Sequence, residues 1–215
     1  MQFTSDGVAM ILHDETIDRT SNGSGKLYEL TYAQVMAYDF GSWKDARFTG
    51  VKIPTLEETL LLCKNIGLGI YLEFKPFGPY TFDSTEIETI IKLVEKYGMA
   101  DNVLYAGRSD IVHALRPKAS VVLGGNALTQ PTIVSQALAV KGTNRVEVWG
   151  QVGDTFTESV VNELAENDIK LGAWTSAAQN TTDILRAVPK CVETIVTNTI
   201  DARALFANMS LHDWT

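Results

Sequence analysis

A regular alternation of strand-like and helix-like segments from residue 70 onward is the feature that most limits the folds open to this chain. Short apolar runs lie at 70–74, 103–106, 121–123, 146–149, 171–174 and 194–196, and helix-like segments follow at 85–97, 111–115, 131–140, 157–167, 182–188 and 201–207. Six consecutive βα units of this kind predict parallel strands covered by helices, in a barrel or a doubly wound sheet. A glycine-rich dinucleotide fingerprint follows none of the strands, which disfavours a nucleotide-binding fold. With no linker or low-complexity tract, residues 1–215 are expected to form one domain.

The segment before this alternation carries clear local signals. Asp6 and Gly7 predict a turn, and the apolar run at 8–12 predicts a strand that delivers His13 to its end. Thr31 is a plausible N-cap for a short helix at 30–37. Thr55 and Glu58 stand at capping-box spacing and predict a helix that ends near residue 67, with an apolar face made by Leu56, Thr59, Leu60, Leu62 and Cys63.

Composition narrows the classes of function. The formal net charge is −8 over 215 residues, which disfavours nucleic acid and anionic membranes as partners. No apolar run reaches the length of about 18 residues that a membrane span needs. The two cysteines, Cys63 and Cys191, are far apart in sequence and are expected to be free thiols. We expect a soluble, cytoplasmic protein with no signal peptide in the chain as given.

Candidate functional residues lie where strands end, because strand-to-helix loops of a parallel barrel converge on one rim. Glu73 and Lys75 are two residues apart and therefore share a face. They form either a structural ion pair or a metal ligand beside a phosphate-binding cation.

Three further strand-end candidates and one histidine are less defined. Trp174 either fills the core or packs against a ligand, and Glu147 and Trp149 show a weaker form of the same alternation. His13, with Asp14 beside it, is either a surface residue or a proton-transfer group, because imidazole titrates near neutral pH.

Taken together, these motifs resemble the glycerophosphodiester phosphodiesterase family. The resemblance lies in FTSDGVAMILHDETIDRTSNGSGKLYELT, followed by IPTLEETL and YLEFK, and later by AWT at 173–175 and VTN at 196–198. It covers essentially the whole chain in the right order, and the combination of motifs is more specific than any one of them.

The resemblance implies an α/β fold of the (β/α)8 TIM-barrel type and the hydrolysis of glycerophosphodiesters to glycerol phosphate and an alcohol. It implies a divalent cation, Mg²⁺ or Ca²⁺. In the family pattern His13 matches the second catalytic histidine, Glu73 the third metal carboxylate and Lys75 the active-site lysine. Trp174 matches a tryptophan near the glycerol end of the substrate.

The sequence also departs from the family pattern. It begins directly before the Thr-x-Asp-Gly motif, so the first histidine, its arginine and two of three metal carboxylates are not in it, nor are the first two strands. About six of eight βα units remain. Such a barrel is expected to be open, and its exposed edge favours homo-oligomers.

Two hypotheses therefore remain at this point, with a third and weaker one. The chain is either a phosphodiesterase without its N-terminal segment or a catalytically impaired barrel remnant that acts as a binding or assembly module. A different phosphate-handling barrel is the weaker alternative.

Overall fold

A computed structural model describes residues 1–116, 119–124, 132–141, 146–151, 158–174 and 192–196. It divides the chain into two compact units, Met1–Leu115 and Arg116–Thr215. The prediction of one domain over residues 1–215 stays a prediction.

The first unit opens with a short antiparallel hairpin. Strand β1 (Gln2–Phe3) pairs with strand β2 (Ala9–Met10). The predicted turn is confirmed, since the Gly7 amide donates to the Thr4 carbonyl at 2.9 Å. Strand β2 is shorter than the predicted 8–12, because the Ile11 amide leaves the hairpin and donates to the Pro54 carbonyl at 3.0 Å.

Three helices of this unit begin at capping boxes, which confirms the predicted N-cap at Thr31 and the predicted box at Thr55 and Glu58. They are α1 (Tyr32–Ala37), α2 (Leu56–Ile66) and α3 (Ser84–Lys96), with N-caps Thr31, Thr55 and Asp83. Each cap side chain accepts from the amide three residues on, and that residue's side chain accepts from the cap amide. Local sequence alone therefore fixes where these helices start.

The predicted apolar face of α2 is only partly right. Leu56 and Leu60 are fully buried, whereas Leu62 is 58% exposed. Residues four apart lie on one side of a helix, and a residue six positions from Leu56 lies well around the helix axis. Leu62 therefore falls outside the buried stripe.

Two parallel strands carry the candidate residues of the first unit. Strand β3 (Ile70–Glu73) pairs with strand β4 (Val103–Ala106), and the short helix α4 (Ser109–Leu115) follows. The Phe74 ring, buried beside β3, packs edge-on against Phe82 at 5.1 Å between ring centroids. A second core cluster lies under the hairpin and α1. Its buried members are Met10, Leu12, Ile17, Leu27, Val35 and Ile53.

The second unit consists of four parallel strands and two helices in alternation. In chain order these are β5 (Ser120–Gly124), α5 (Thr132–Lys141), β6 (Val146–Gln151), α6 (Glu158–Glu166), β7 (Lys170–Trp174) and β8 (Val192–Val196). Neighbouring strands pair in parallel. The helices predicted at 182–188 and 201–207 lie outside the described residues. Among the helices that the structure describes, none has the length and apolar character needed to cross a bilayer.

Candidate functional site

His13 lies directly after the hairpin and is held by an acidic neighbour. Its Nδ1 is 2.7 Å from Asp14 Oδ1, and the other oxygen of that carboxylate accepts from Arg19 Nε at 2.5 Å. The His13 side chain is 68% exposed, so solvent and small solutes reach it. Arg19, and then His13, hold the pKa of Asp14 at about 2, against an ordinary value of 3.8. Asp14 is therefore ionised at neutral pH and fixes one ring nitrogen of the imidazole.

Glu73 and Lys75 lie on one face at the carboxyl end of β3. Leu72 and Phe74 are buried, whereas Glu73 is exposed and Lys75 half-buried, as a pleated strand requires. The Phe74 amide donates to Ala106 at 2.8 Å and continues the pairing with β4. Lys75 Nζ lies 5.6 Å from the centroid of the Phe77 ring. A carboxylate and an ammonium thus project from the same strand end.

Two consecutive N-terminal residues connect this strand end to the histidine loop. The Met1 amine donates to the Glu73 carbonyl at 3.1 Å, and the Gln2 side-chain amide donates to the Asp14 carbonyl. Burial lowers the pKa of the Met1 amine, with Glu73 opposing that change and Lys75 adding to it. Residues 1 and 2 thus link the backbone at Asp14 to the backbone at the end of β3, although about 60 residues separate the two segments in sequence.

Two of the residues that support this region were not identified from the sequence. The Tyr80 hydroxyl accepts from the Phe3 amide at 3.2 Å, and its ring stacks on Tyr28 with centroids 5.0 Å apart. Burial raises the pKa of Tyr80 well above its ordinary value of 10. Tyr80 thereby joins the loop after β3 to β1. Its only sequence signal is a run of aromatic residues after Pro76, which is common in cores.

The second of them, Arg108, follows β4 at the same strand-end level as Glu73. Arg108 Nη1 donates to the Phe82 carbonyl at 2.5 Å and to Thr81 Oγ1 at 3.2 Å. Glycine is required at position 107, because its φ is +76° and a Cβ there would lie 2.6 Å from the Phe74 carbonyl oxygen. A strand followed by Gly-Arg is the signal that could have identified this cation.

Two of the three candidates in the second unit do not lie at the predicted strand ends. Glu147 is the second residue of β6, fully buried, and paired in register with Val122 and Lys170. Its predicted strand-end position is wrong, because β6 continues to Gln151. Trp149 also lies inside β6, because the strand extends two residues beyond it. Trp174 is the last residue of β7, as predicted.

A preformed metal cluster is not found in the part of the chain that the structure describes. Nowhere there do three or more His, Cys, Asp or Glu side chains group closely enough to hold a metal ion. Glu73 remains an exposed carboxylate oxygen donor, and Gln2 Oε1 is buried without a hydrogen-bond partner in the same region.

Parallel strands that alternate with helices define an α/β protein. The likeness to solved phosphodiesterases over 92–97% of the chain confirms the predicted fold of the TIM-barrel family. A family model described as the glycerophosphoryl diester phosphodiesterase family matches residues 1–202. The chain belongs to the glycerophosphoryl diester phosphodiesterase family.

Individual relatives agree with this membership. The chain is 27% identical over 207 residues to a glycerophosphodiester phosphodiesterase of Caldanaerobacter subterraneus subsp. tengcongensis, which covers 92% of this chain and 79% of that protein. It is 39% identical over 77 residues to human glycerophosphodiester phosphodiesterase 1, covering 35% of this chain and only 23% of the human protein. The fold resembles an Oleispira antarctica phosphodiesterase in complex with the product sn-glycerol-3-phosphate (TM-score 0.79, 18% identity, 97% of this chain and 82% of that one).

Proposed function

We propose that this chain hydrolyses glycerophosphodiesters, releasing glycerol 3-phosphate and an alcohol. The observation that carries the proposal is the exposed His13, held by the ionised Asp14 in a loop that residues 1 and 2 link to the end of strand β3. The names of the relatives, and the product complex of the Oleispira antarctica structure, support the same reaction class.

In this proposal His13 transfers the proton. Asp14 holds Nδ1, which leaves the other ring nitrogen for the oxygen of the departing alcohol. Protonation of that oxygen as its bond to phosphorus breaks removes the cost of expelling a free alkoxide. Arg19 acts through Asp14, because its bond to the second carboxylate oxygen fixes the plane of the carboxylate.

Lys75 and Glu73 are proposed to act on the phosphate. The Lys75 ammonium is a compact cation suited to a phosphate oxygen. Glu73 is proposed as a ligand of a divalent cation, Mg²⁺ or Ca²⁺. One carboxylate completed by water and substrate phosphate oxygens is a usual form of a Mg²⁺ site, so the described residues are compatible with that ion. When bound, the cation would supply positive charge next to the phosphate.

Trp174 is proposed to contact the glycerol end of the substrate. The support is the match of its motif to the family pattern and its position as the last residue of β7. The alcohol released is not specified by any of these residues.

The test is release of glycerol 3-phosphate from glycerophosphocholine, with Mg²⁺ or Ca²⁺ and with a chelator. His13→Ala is expected to lower turnover by roughly 10²–10⁴-fold, which is the usual contribution of general acid catalysis to the rate. Glu73→Ala is expected to abolish cation-dependent turnover and to weaken Mn²⁺ binding measured by electron paramagnetic resonance. Glu88→Ala removes another side-chain carboxylate, paired with Lys92 at 3.0 Å on α3, and is the matched control.

Full turnover in His13→Ala or Glu73→Ala would remove that residue from its assigned role. No turnover by folded wild-type chain with any divalent cation would contradict the proposal and favour a binding or assembly module.

A further inference from the structure

One hydrogen bond holds the main chain at His13 and Asp14, in the part of the chain that the structure describes. The Gln2 side-chain amide donates it to the Asp14 carbonyl. The neighbouring main-chain hydrogen bonds lie at Ile11 on one side and at Glu15 on the other. The centre of the loop that carries His13 is therefore fixed to the rest of the fold by a single side chain.

Gln2 belongs to a well-anchored element. It is fully buried on β1, which pairs with β2. The adjacent Phe3 ring packs edge-on against Phe82, with centroids 6.3 Å apart, and the Met1 amine donates to the Glu73 carbonyl at 3.1 Å. Side chains alternate along a strand, so Gln2 points away from the Phe3 contact. The donor that holds the His13 loop thus starts from a fixed position.

The two polar atoms of the Gln2 amide have different surroundings. A carbonyl oxygen only accepts hydrogen bonds, so the nitrogen of the amide must face Asp14. Gln2 Oε1 is buried, and no residue that the structure describes donates to it. Burial of such an oxygen opposes folding. Stability alone would therefore favour an apolar side chain of the same length at this position.

We propose that Gln2 is a positioning residue for His13 and acts through Asp14. By fixing the main chain of Asp14, Gln2 sets the position of the carboxylate that lies 2.7 Å from His13 Nδ1. The bond from Arg19 to the same carboxylate is a weaker constraint, because the Arg19 side chain is 60% exposed. This inference rests on the proposed function, in which His13 transfers the proton.

The first test is the turnover of glycerophosphocholine by Gln2→Met, which keeps the length of the side chain and removes the donor. A displacement of a reacting group by about 1 Å can cost roughly 10²-fold in rate. We expect kcat to fall roughly tenfold or more while KM changes little. The urea midpoint should stay close to that of wild type, because the substitution removes the unpartnered Oε1 together with the bond.

The second test needs no turnover and follows the ring nitrogens of His13 by nuclear magnetic resonance. The signals of His13 are identified by their loss in His13→Ala. At a pH where the imidazole is neutral, wild type is expected to carry the proton on Nδ1, next to Asp14. Gln2→Met is expected to mix the two tautomers, and Gln2→Leu provides a second variant if Gln2→Met does not fold.

Thr4→Val is the matched control. Thr4 is buried directly after β1, and its Oγ1 accepts from the Val8 amide at 2.9 Å, inside the hairpin. This variant removes a buried side-chain hydrogen bond of the same hairpin without touching the bond to Asp14. It is expected to keep the kcat and the His13 signals of wild type.

The proposal is overturned if a folded Gln2 variant keeps the kcat or the His13 signals of wild type. It is also overturned if Thr4→Val changes them as much as Gln2→Met does. Free exchange of the Gln2 side-chain amide protons with solvent in wild type would overturn it without any variant. If wild type shows no turnover, the proposed hydrolysis fails, and the His13 signals alone decide the role of Gln2.

Discussion

Asp14→Asn tests whether Asp14 positions His13 or merely adds a surface ion pair. Asp14 accepts from His13 Nδ1 at 2.7 Å with one oxygen and from Arg19 Nε at 2.5 Å with the other. Asparagine offers a single carbonyl oxygen and turns an NH₂ group toward the second donor. The variant can therefore keep one of the two hydrogen bonds but not both.

The effect on stability is expected to be small. A carboxyl pKa of about 2 in place of 3.8 corresponds to about 2.5 kcal/mol if all of it were retained on folding. His13 is 68% and Arg19 60% exposed, so solvent screens both pairs, and exposed pairs contribute about 0.2–1 kcal/mol each. We expect Asp14→Asn to lose about 1 kcal/mol at pH 7.

The sign of the pH dependence follows from the lowered pKa. The stabilisation by ionised Asp14 is present above the ordinary pKa of 3.8 and is lost as the pH falls toward 2. The difference in unfolding free energy between wild type and Asp14→Asn should therefore shrink between pH 4 and about pH 2.

The effect on catalysis is expected to be larger than the effect on stability. Loss of imidazole orientation should lower kcat for glycerophosphocholine roughly ten- to hundredfold, while KM changes little. This fall in kcat is smaller than the one expected when the general acid itself is removed. Glu57→Gln is the control, because Glu57 likewise accepts from two side chains, Lys96 at 2.7 Å and Tyr97 at 2.5 Å, on α2. An unchanged kcat in Asp14→Asn, or an equal fall in Glu57→Gln, would refute the positioning role.

Three further predictions concern stability and are measured by urea denaturation. Thr55→Ala removes the N-cap bond of α2 and should cost about 1 kcal/mol, and an unchanged midpoint would mean that the cap is dispensable. Gly41→Ala places a methyl group against the Phe48 carbonyl and should destabilise by about 1–3 kcal/mol, whereas a neutral effect would mean that the loop at residues 39–51 adjusts easily. Asp39→Asn should remove a stabilisation that wild type loses as the pH falls from 3.8 toward 2, so parallel pH profiles of the two proteins would contradict the assigned carboxylate bonds.

The sequence predicted the elements whose signals are local. The helices after Thr31 and Thr55 start at their predicted N-caps, because a cap depends on residues only three positions apart. Strand β4 has the predicted bounds, 103–106, since its apolar run is delimited by turn residues on both sides.

The predictions that failed depend on contacts that a single sequence does not contain. Leu62 was assigned to the buried face of α2 because it is apolar, yet burial depends on which neighbouring element covers that side. Glu147 was placed near a strand end because its apolar run ends at Trp149 in the sequence, whereas the strand continues to Gln151. Strand ends and buried helix faces are therefore predicted poorly from the sequence, because both depend on the elements that pack beside them.

The candidate site was predictable in part. His13, Glu73 and Lys75 are candidates from motif and strand position, and in the structure residues 1 and 2 link the loop of His13 to the strand end of Glu73. Tyr80, Arg108 and the Arg19 bond to Asp14 were missed, because their partners are distant in sequence or lie on irregular segments.

Turnover of glycerophosphocholine by wild type and by His13→Ala, measured side by side as glycerol 3-phosphate released with Mg²⁺ or Ca²⁺, tests the central claim most directly. The account predicts cation-dependent release by wild type and its loss by roughly 10²–10⁴-fold in the folded variant. Equal release by the two proteins, or none by either, would contradict it.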